Sequence, residues 1–116
     1  MLVKVDACST EPIFRQVAAQ VRAAVATGEV EPGDRLPPAR ELAGALGVNM
    51  HTVLRAYALL RDEGLVEMRR RRGVIVQGGA PARARLLGLA TDLTAEARRQ
   101  GMDLVATYRL LEEAWS

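Results

Sequence analysis

Cysteine occurs once, at Cys8, histidine once, at His51, and the aromatic residues make up only 3% of the 116 residues. Each scarcity removes a class of structure or chemistry. A single cysteine permits no intrachain disulfide, so a reducing, cytoplasmic setting is expected. One His and one Cys cannot supply the ligand set of a transition-metal site, and no Cys-His pair stands at a spacing used for nucleophilic catalysis. The acidic residues fall mainly on expected helix surfaces and turns, and no glycine-rich phosphate loop follows an expected strand. An enzyme is therefore not expected, and no catalytic residue, metal or cofactor is assigned. No apolar run reaches the roughly 18 residues a membrane span requires. No signal-peptide pattern is present, so the chain is read as neither spanning nor secreted.

What the chain has is aliphatic material. The hydrophobic fraction is 49%, enough for a core of Leu, Val and Ala of the kind helical proteins use. The length allows one domain, or a small domain with an appendage. The formal net charge is only +2, but residues 1–80 hold eleven Lys and Arg against nine Asp and Glu, whereas 81–116 hold five against five. The excess lies in the first part, where Arg69, Arg70, Arg71 and Arg72 are consecutive. Such a run is as readily a solvated loop as a binding element, so its neighbours must decide.

Those neighbours form a pattern. Leu2 to Val5 alternates apolar residues with lysine, as a short edge strand or an ordered arm would. Ser9 or Thr10 with Pro12 predicts a helix start, Phe14, Val17, Ala18, Val21, Ala24 and Val25 its buried face, and Gly28 its end. Leu42, Ala43 and Leu46 stripe a short second helix that Gly47 closes. Asn49 offers an N-cap to a third helix, from about Met50 to Glu63, whose buried side is Val53, Ala56, Tyr57 and Leu60. His51, Leu54, Arg55 and Ala58 lie on the opposite side. Two helices so joined form a helix-turn-helix, whose second helix enters the DNA major groove.

After Gly64, residues 65–69 and 74–77 predict two short strands joined by the arginine tip, which makes the helix-turn-helix winged. Gly78, Gly79, Ala80 and Pro81 interrupt the periodicity as a linker. Leu86, Leu89, Ala90, Leu93 and Ala97 stripe a fourth helix ending at Gly101; Leu104, Tyr108, Leu111 and Trp115 stripe a fifth, capped by Asp103. Two amphipathic helices cannot enclose a core alone. Their stripe must cover the winged domain or meet a second copy of itself, and the second arrangement is preferred because such proteins gain affinity by occupying two half-sites. The expected fold is mainly α with a small β-hairpin: a winged domain over 1–77, a linker at 78–81 and a two-helix dimerisation module over 82–116.

Several stretches resemble the GntR transcription regulators, in particular their short YtrA-like branch. Pro12-Ile13-Phe14-Arg15-Gln16 resembles the opening of that family's first helix, Gly28 to Pro37 its linking turn, and Arg40-Glu41-Leu42-Ala43 its second helix. Val48 to Val53 is similar to the start of its recognition helix, and Arg55-Ala56-Tyr57 with Glu63-Gly64-Leu65-Val66 to motifs of the YtrA-like branch. The resemblance implies a bacterial, homodimeric repressor on a two-fold related operator in double-stranded DNA. It implies DNA contacts from Arg40, Asn49, Met50, His51, Thr52, Leu54 and Arg55, and from the wing at Arg69, Arg70, Arg71, Arg72 and Gly73. Leu86, Leu89, Leu93, Leu104, Tyr108, Leu111 and Trp115 would then form the dimer interface.

This chain departs from the family at Met50 and Leu54, where many members carry arginine. Contacts to thymine methyl groups would replace arginine to guanine there. It departs again at Arg71, where the wing tip usually has glycine. Arginine at a wing tip can lie along the minor groove or grip the backbone. A winged module that docks protein is the competing function, and a third is a regulator tuned by a small effector at the dimer interface. No convergent polar set identifies such an effector, and the roughly 35 residues after the linker are too few to enclose a ligand cavity of ~300 to 1,000 Å³.

Overall fold

The computed structural model describes residues 1–116. Seven elements follow in order: α1 (Ile13–Thr27), α2 (Ala39–Leu46), α3 (Met50–Asp62), β1 (Val66–Arg69), β2 (Gly73–Val76), α4 (Ala80–Arg99) and α5 (Leu104–Trp115). The chain divides into two compact units, Met1–Arg85 and Leu86–Ser116.

In the first unit α3 is the central element, packed against α1, α2 and β1. The stripe expected on α1 is buried at Val17, Ala18, Val21, Ala24 and Val25, and the stripe of α3 at Val53, Ala56, Tyr57 and Leu60. Val3, Val30, Leu36, Leu42 and Ala43 before and within α2, Leu65, Val66 and Val76 at the hairpin, and Ala80 and Ala84 of α4 complete the core of this unit. Gly47 ends α2 with φ of +68°, and its N–H returns to the Ala43 carbonyl. A left-handed residue there closes the helix and reverses the chain into α3 at little steric cost.

Two local details differ from the sequence expectation. α1 begins at Ile13 with Pro12 at its cap position and no side-chain cap; the Ser9 hydroxyl instead accepts from the Glu11 N–H, closing a turn of its own. Leu2 to Val5 forms no strand. It is an arm whose Lys4 and Asp6 backbone groups pair with the side-chain amides of Gln20 and Gln16, each amide both accepting an N–H and donating to a carbonyl. A primary amide has the same donor and acceptor as a peptide, so two glutamines one turn apart stand in for a neighbouring strand.

The hairpin is antiparallel, with Val66 opposite Val76 and Arg69 opposite Gly73. The linking stretch before α2 extends it. Gly33 donates to the Val76 carbonyl at 2.8 Å, Leu36 to Val74 at 2.8 Å, and Val76 to Asp34 at 2.9 Å. Residues 33–36 therefore lie along β2 and tie the wing to the entry of α2.

α4 takes in Ala80 and Pro81, which the sequence reading placed in a linker, and buries Ala80 and Ala84 within the first unit. Proline in the first turn of a helix lacks only a donor that would have no partner anyway, so it starts α4 rather than interrupting it. In the second unit, Asp103 caps α5 by accepting from the Ala106 N–H at 2.8 Å. Only Ala97 is buried there, and α5 buries no residue at all. No helix of the chain is long and apolar enough to cross a membrane.

Candidate nucleic-acid interface

Three features fix α3 in the first unit. Its N-terminus is capped by Asn49, whose Oδ1 accepts from the His51 N–H at 2.8 Å. Its middle is tethered by Tyr57, fully buried, whose hydroxyl donates to the Pro37 carbonyl at 2.6 Å. Burial pushes the Tyr57 hydroxyl up to about 12, with the Glu41 carboxylate adding to the effect, so it stays protonated and able to donate. At the C-terminus Glu63 is gripped by Arg22 of α1 through contacts of 2.8 and 3.1 Å, and the Glu63 carbonyl accepts from Arg83 at 3.0 Å. The C-terminus and middle of α3 are thus held from α1, α4 and the α2 entry, and its N-terminus by its own cap, leaving one flank bare.

That flank carries His51, Leu54 and Arg55, all exposed, while Met50 and Thr52 are half-buried beside them. Arg40 is exposed at the start of α2. Arg55 lies over the ring of Phe14, its guanidinium carbon 3.9 Å from the ring centre, with Arg15 at 5.3 Å from the same centre. Cation–π contact of this kind orients a guanidinium while leaving its in-plane N–H groups free. Neither Phe14 nor Arg15 is marked by the sequence as part of the site; the periodicity puts Phe14 on the core face, yet it is only half-buried.

At the wing, Arg70, Arg71 and Arg72 form the three-residue turn between the strands and are exposed. The left-handed residue the turn demands is Gly73, with φ of +80°, so arginine at position 71 is no obstacle to closing the hairpin. A Cβ on Gly73 would stand 3.0 Å from the Arg35 Nε, placing Arg35 against the base of the wing. Arg69 differs from its neighbours: Glu67, two residues earlier on the same strand face, accepts from it at 3.2 Å. Arg35, Arg40, Arg55, Arg70, Arg71 and Arg72 make no ion pair. Beside the wing lies an open cleft of about 510 Å³ lined by residues that include Pro32, Glu67, Arg69, Arg72 and Ile75.

The first unit thus presents a bare helix flank, an arginine-tipped hairpin and unpaired guanidinium groups. Such groups can donate to phosphate oxygens and to base edges. Of the residues expected at an intersubunit contact, Leu86, Leu89, Leu104, Tyr108, Leu111 and Trp115 are exposed and Leu93 is half-buried, all within the second unit.

The sequence pattern of bacterial regulatory proteins of the gntR family matches residues 14–76. The HTH-type transcriptional regulator Rv1152 of Mycobacterium tuberculosis is 38% identical over 94% of this chain and 90% of its own length. A solved structure of YtrA from Sulfolobus acidocaldarius, a GntR-family transcription factor, is 38% identical, covering 81% of this chain and 99% of that one with a TM-score of 0.64. The DNA-binding domain of AraR in complex with its operator ORX1 is 26% identical and covers 62% of this chain and 89% of that one, with a TM-score of 0.57. The first two are named as regulators of transcription, the third as a DNA-binding domain on an operator, and none as an enzyme.

Proposed function

The chain belongs to the GntR family of bacterial regulatory proteins, and on that premise we propose that it acts in the cytoplasm as a homodimeric repressor on a two-fold related operator. The observation that carries DNA contact is the set of unpaired arginines, Arg40, Arg55, Arg70, Arg71 and Arg72, on the very elements that meet DNA in winged domains. The AraR complex supports it, since a similar domain is there seen on operator DNA.

Roles are divided by chemistry. The exposed flank of His51, Leu54 and Arg55 reads base edges, with Leu54 and Met50 offering apolar contact to thymine methyl groups. Arg40, Asn49 and Thr52 meet phosphates near the N-terminus of α3, where backbone N–H groups favour anions. The Asn49 side-chain oxygen already accepts from the His51 N–H, so Asn49 meets phosphate through its free amide NH2 rather than reaching a base. Arg70, Arg71 and Arg72, with Gly73 shaping the turn, grip the neighbouring backbone; Arg69 contributes less because Glu67 occupies it.

Dimerisation rests on the second unit. Trp115 is 92% exposed, and Leu89 and Leu104 are each 66% exposed. Apolar faces of this extent call for cover, and a second copy presents a self-complementary one. A dimer seated across a promoter would exclude polymerase, which is the basis for repression.

Selecting bound duplexes from a random pool tests the reading directly: a two-fold related consensus is expected, and no enrichment would refute DNA recognition. On the selected site, Arg70→Ala with Arg71→Ala weakens specific and random DNA alike and lowers the salt slope by about two, at ~0.9 per phosphate contact. Arg55→Ala or His51→Ala instead changes which sequence is preferred. Equal losses on selected and random DNA for Arg55→Ala would remove it as a base reader.

A further inference from the structure

We propose that Arg15, seated with Arg55 on the ring of Phe14, is a binding site for a DNA backbone phosphate that extends the interface onto α1. This rests on the DNA-binding reading above and adds a contact outside the helix-turn-helix and wing.

Four observations converge on it. The guanidinium carbons of Arg55 and Arg15 lie 3.9 and 5.3 Å from one ring centre, so they are no more than 9.2 Å apart, the sum of those distances. One phosphate, with two oxygens each accepting an N–H at about 2.9 Å, bridges a gap of that order. A cation–π contact uses up none of the N–H donors in hydrogen bonds, so those of both guanidinium groups stay available to an anion. Neither arginine has a carboxylate partner, although Arg22, Arg61, Arg69 and Arg99 all do. Arg15 also stands in the first turn of α1, a helix with no side-chain cap and no acidic residue in that turn. Free N–H groups and the helix dipole favour an anion there.

Two cations sharing one ring repel each other, and an anion between them reverses the sign of the interaction. The phosphates bordering a major groove run beside whichever flank of α3 enters it, and Arg55 stands on that flank. Phe14 is a positioning residue in this scheme, holding both guanidinium groups on one ring so that Arg15 and one edge of Arg55 share the phosphate while the remaining Arg55 donors reach the bases.

The test is binding of the full chain to its selected duplex and to random duplex, followed by fluorescence anisotropy over a series of salt concentrations. Arg15→Ala is expected to weaken both duplexes by the same factor and to reduce the slope of log affinity against log salt by about 0.9. Arg109→Ala, an exposed arginine of the second unit, should leave the slope at its wild-type value. Phe14→Leu should weaken binding and also blur the ranking of sequences, and Phe14→Tyr should restore both. A wild-type slope for Arg15→Ala, or an equal fall for Arg109→Ala, overturns the phosphate site and leaves the DNA-binding reading standing. Failure of the wild-type chain to bind any duplex overturns that reading, and this site with it.

Discussion

Removing a single oxygen atom at the centre of α3 has a cost that can be worked out and then reversed by pH. Tyr57→Phe deletes the hydroxyl that donates to the Pro37 carbonyl at 2.6 Å and leaves the fully buried ring in place. The net worth of one such bond is about 1 kcal/mol. Because Pro37 is only half-buried, water can reach its freed carbonyl, which keeps the loss near that value. If the Met1–Arg85 unit unfolds cooperatively, a loss of that size lowers Tm by about 4–8 °C.

The hydroxyl is held up to about 12, against 10.0 for an unperturbed tyrosine. As pH climbs past 10.0 the unfolded chain ionises first while the native chain keeps its proton, so stability present below 10.0 is lost progressively up to about 12. The slope is about 1.4 kcal/mol per pH unit. Phenylalanine does not titrate. The two proteins should therefore become equally stable about one pH unit above the unfolded tyrosine value, and the Phe variant should be the more stable beyond it. Urea unfolding of both, at one protein concentration and followed by circular dichroism from neutral pH upward, measures the gap directly. A gap that stays constant across that range would refute the argument that burial of this hydroxyl governs its ionisation.

Three other perturbations have defined outcomes. Gly73→Ala forces an alanine to φ of +80° with its Cβ 3.0 Å from a movable arginine side chain; a loss of about 1–2 kcal/mol is expected in thermal melts, mostly from the backbone. Arg22→Ala strands the Glu63 carboxylate, whose side chain is only 19% exposed, and should cost about 2–3 kcal/mol, whereas Arg61→Ala removes an exposed pair worth under about 1 kcal/mol. Equal effects would show that burial does not separate the two ion pairs. Leu104→Asp should give a monomer in sedimentation and a large loss of operator affinity with the melting of the first unit unchanged; a tightly binding monomer would rule out the dimer.

Much of this architecture was legible because its signals are local. Gly28 and Gly47 at helix ends, Asn49 and Asp103 at helix starts, and the stripes of α1 and α3 each depend on residues within a turn or two of one another. The features without a sequence signal are held by contacts distant in the chain. Residues 33–36 pair with β2 across some forty positions, Gln16 and Gln20 hold the arm by side-chain amides, and Phe14 meets Arg55 from a different helix. None of these leaves a periodic trace. A half-exposed aromatic at the edge of an apolar stripe looks like core until the facing residue is known. Arginine at position 71, where the family has glycine, hides from the sequence how the turn closes; the turn needs one left-handed residue, and Gly73 supplies it just past the tip.

The same periodic signal led to opposite outcomes in α1 and α5, and the contrast says what such a signal means. Both helices carry apolar residues at spacings of three and four. In α1 the stripe is buried under α3, with Val17, Val21 and Val25 at 0% exposure; in α5 nothing is buried, and its stripe of Leu104, Tyr108, Leu111 and Trp115 faces solvent. Periodicity records that a face has been selected for cover, and is silent on which chain provides it. An isolated helix of 12 residues is marginal in water, so α5 needs a surface to lie on, and none is supplied within Leu86–Ser116, where only Ala97 is buried. A second copy would supply an apolar stripe of the same length and composition by symmetry. Pairing through this unit would also place two winged domains on one assembly, so on the proposed two-fold operator one contact would both cover α5 and fill two half-sites.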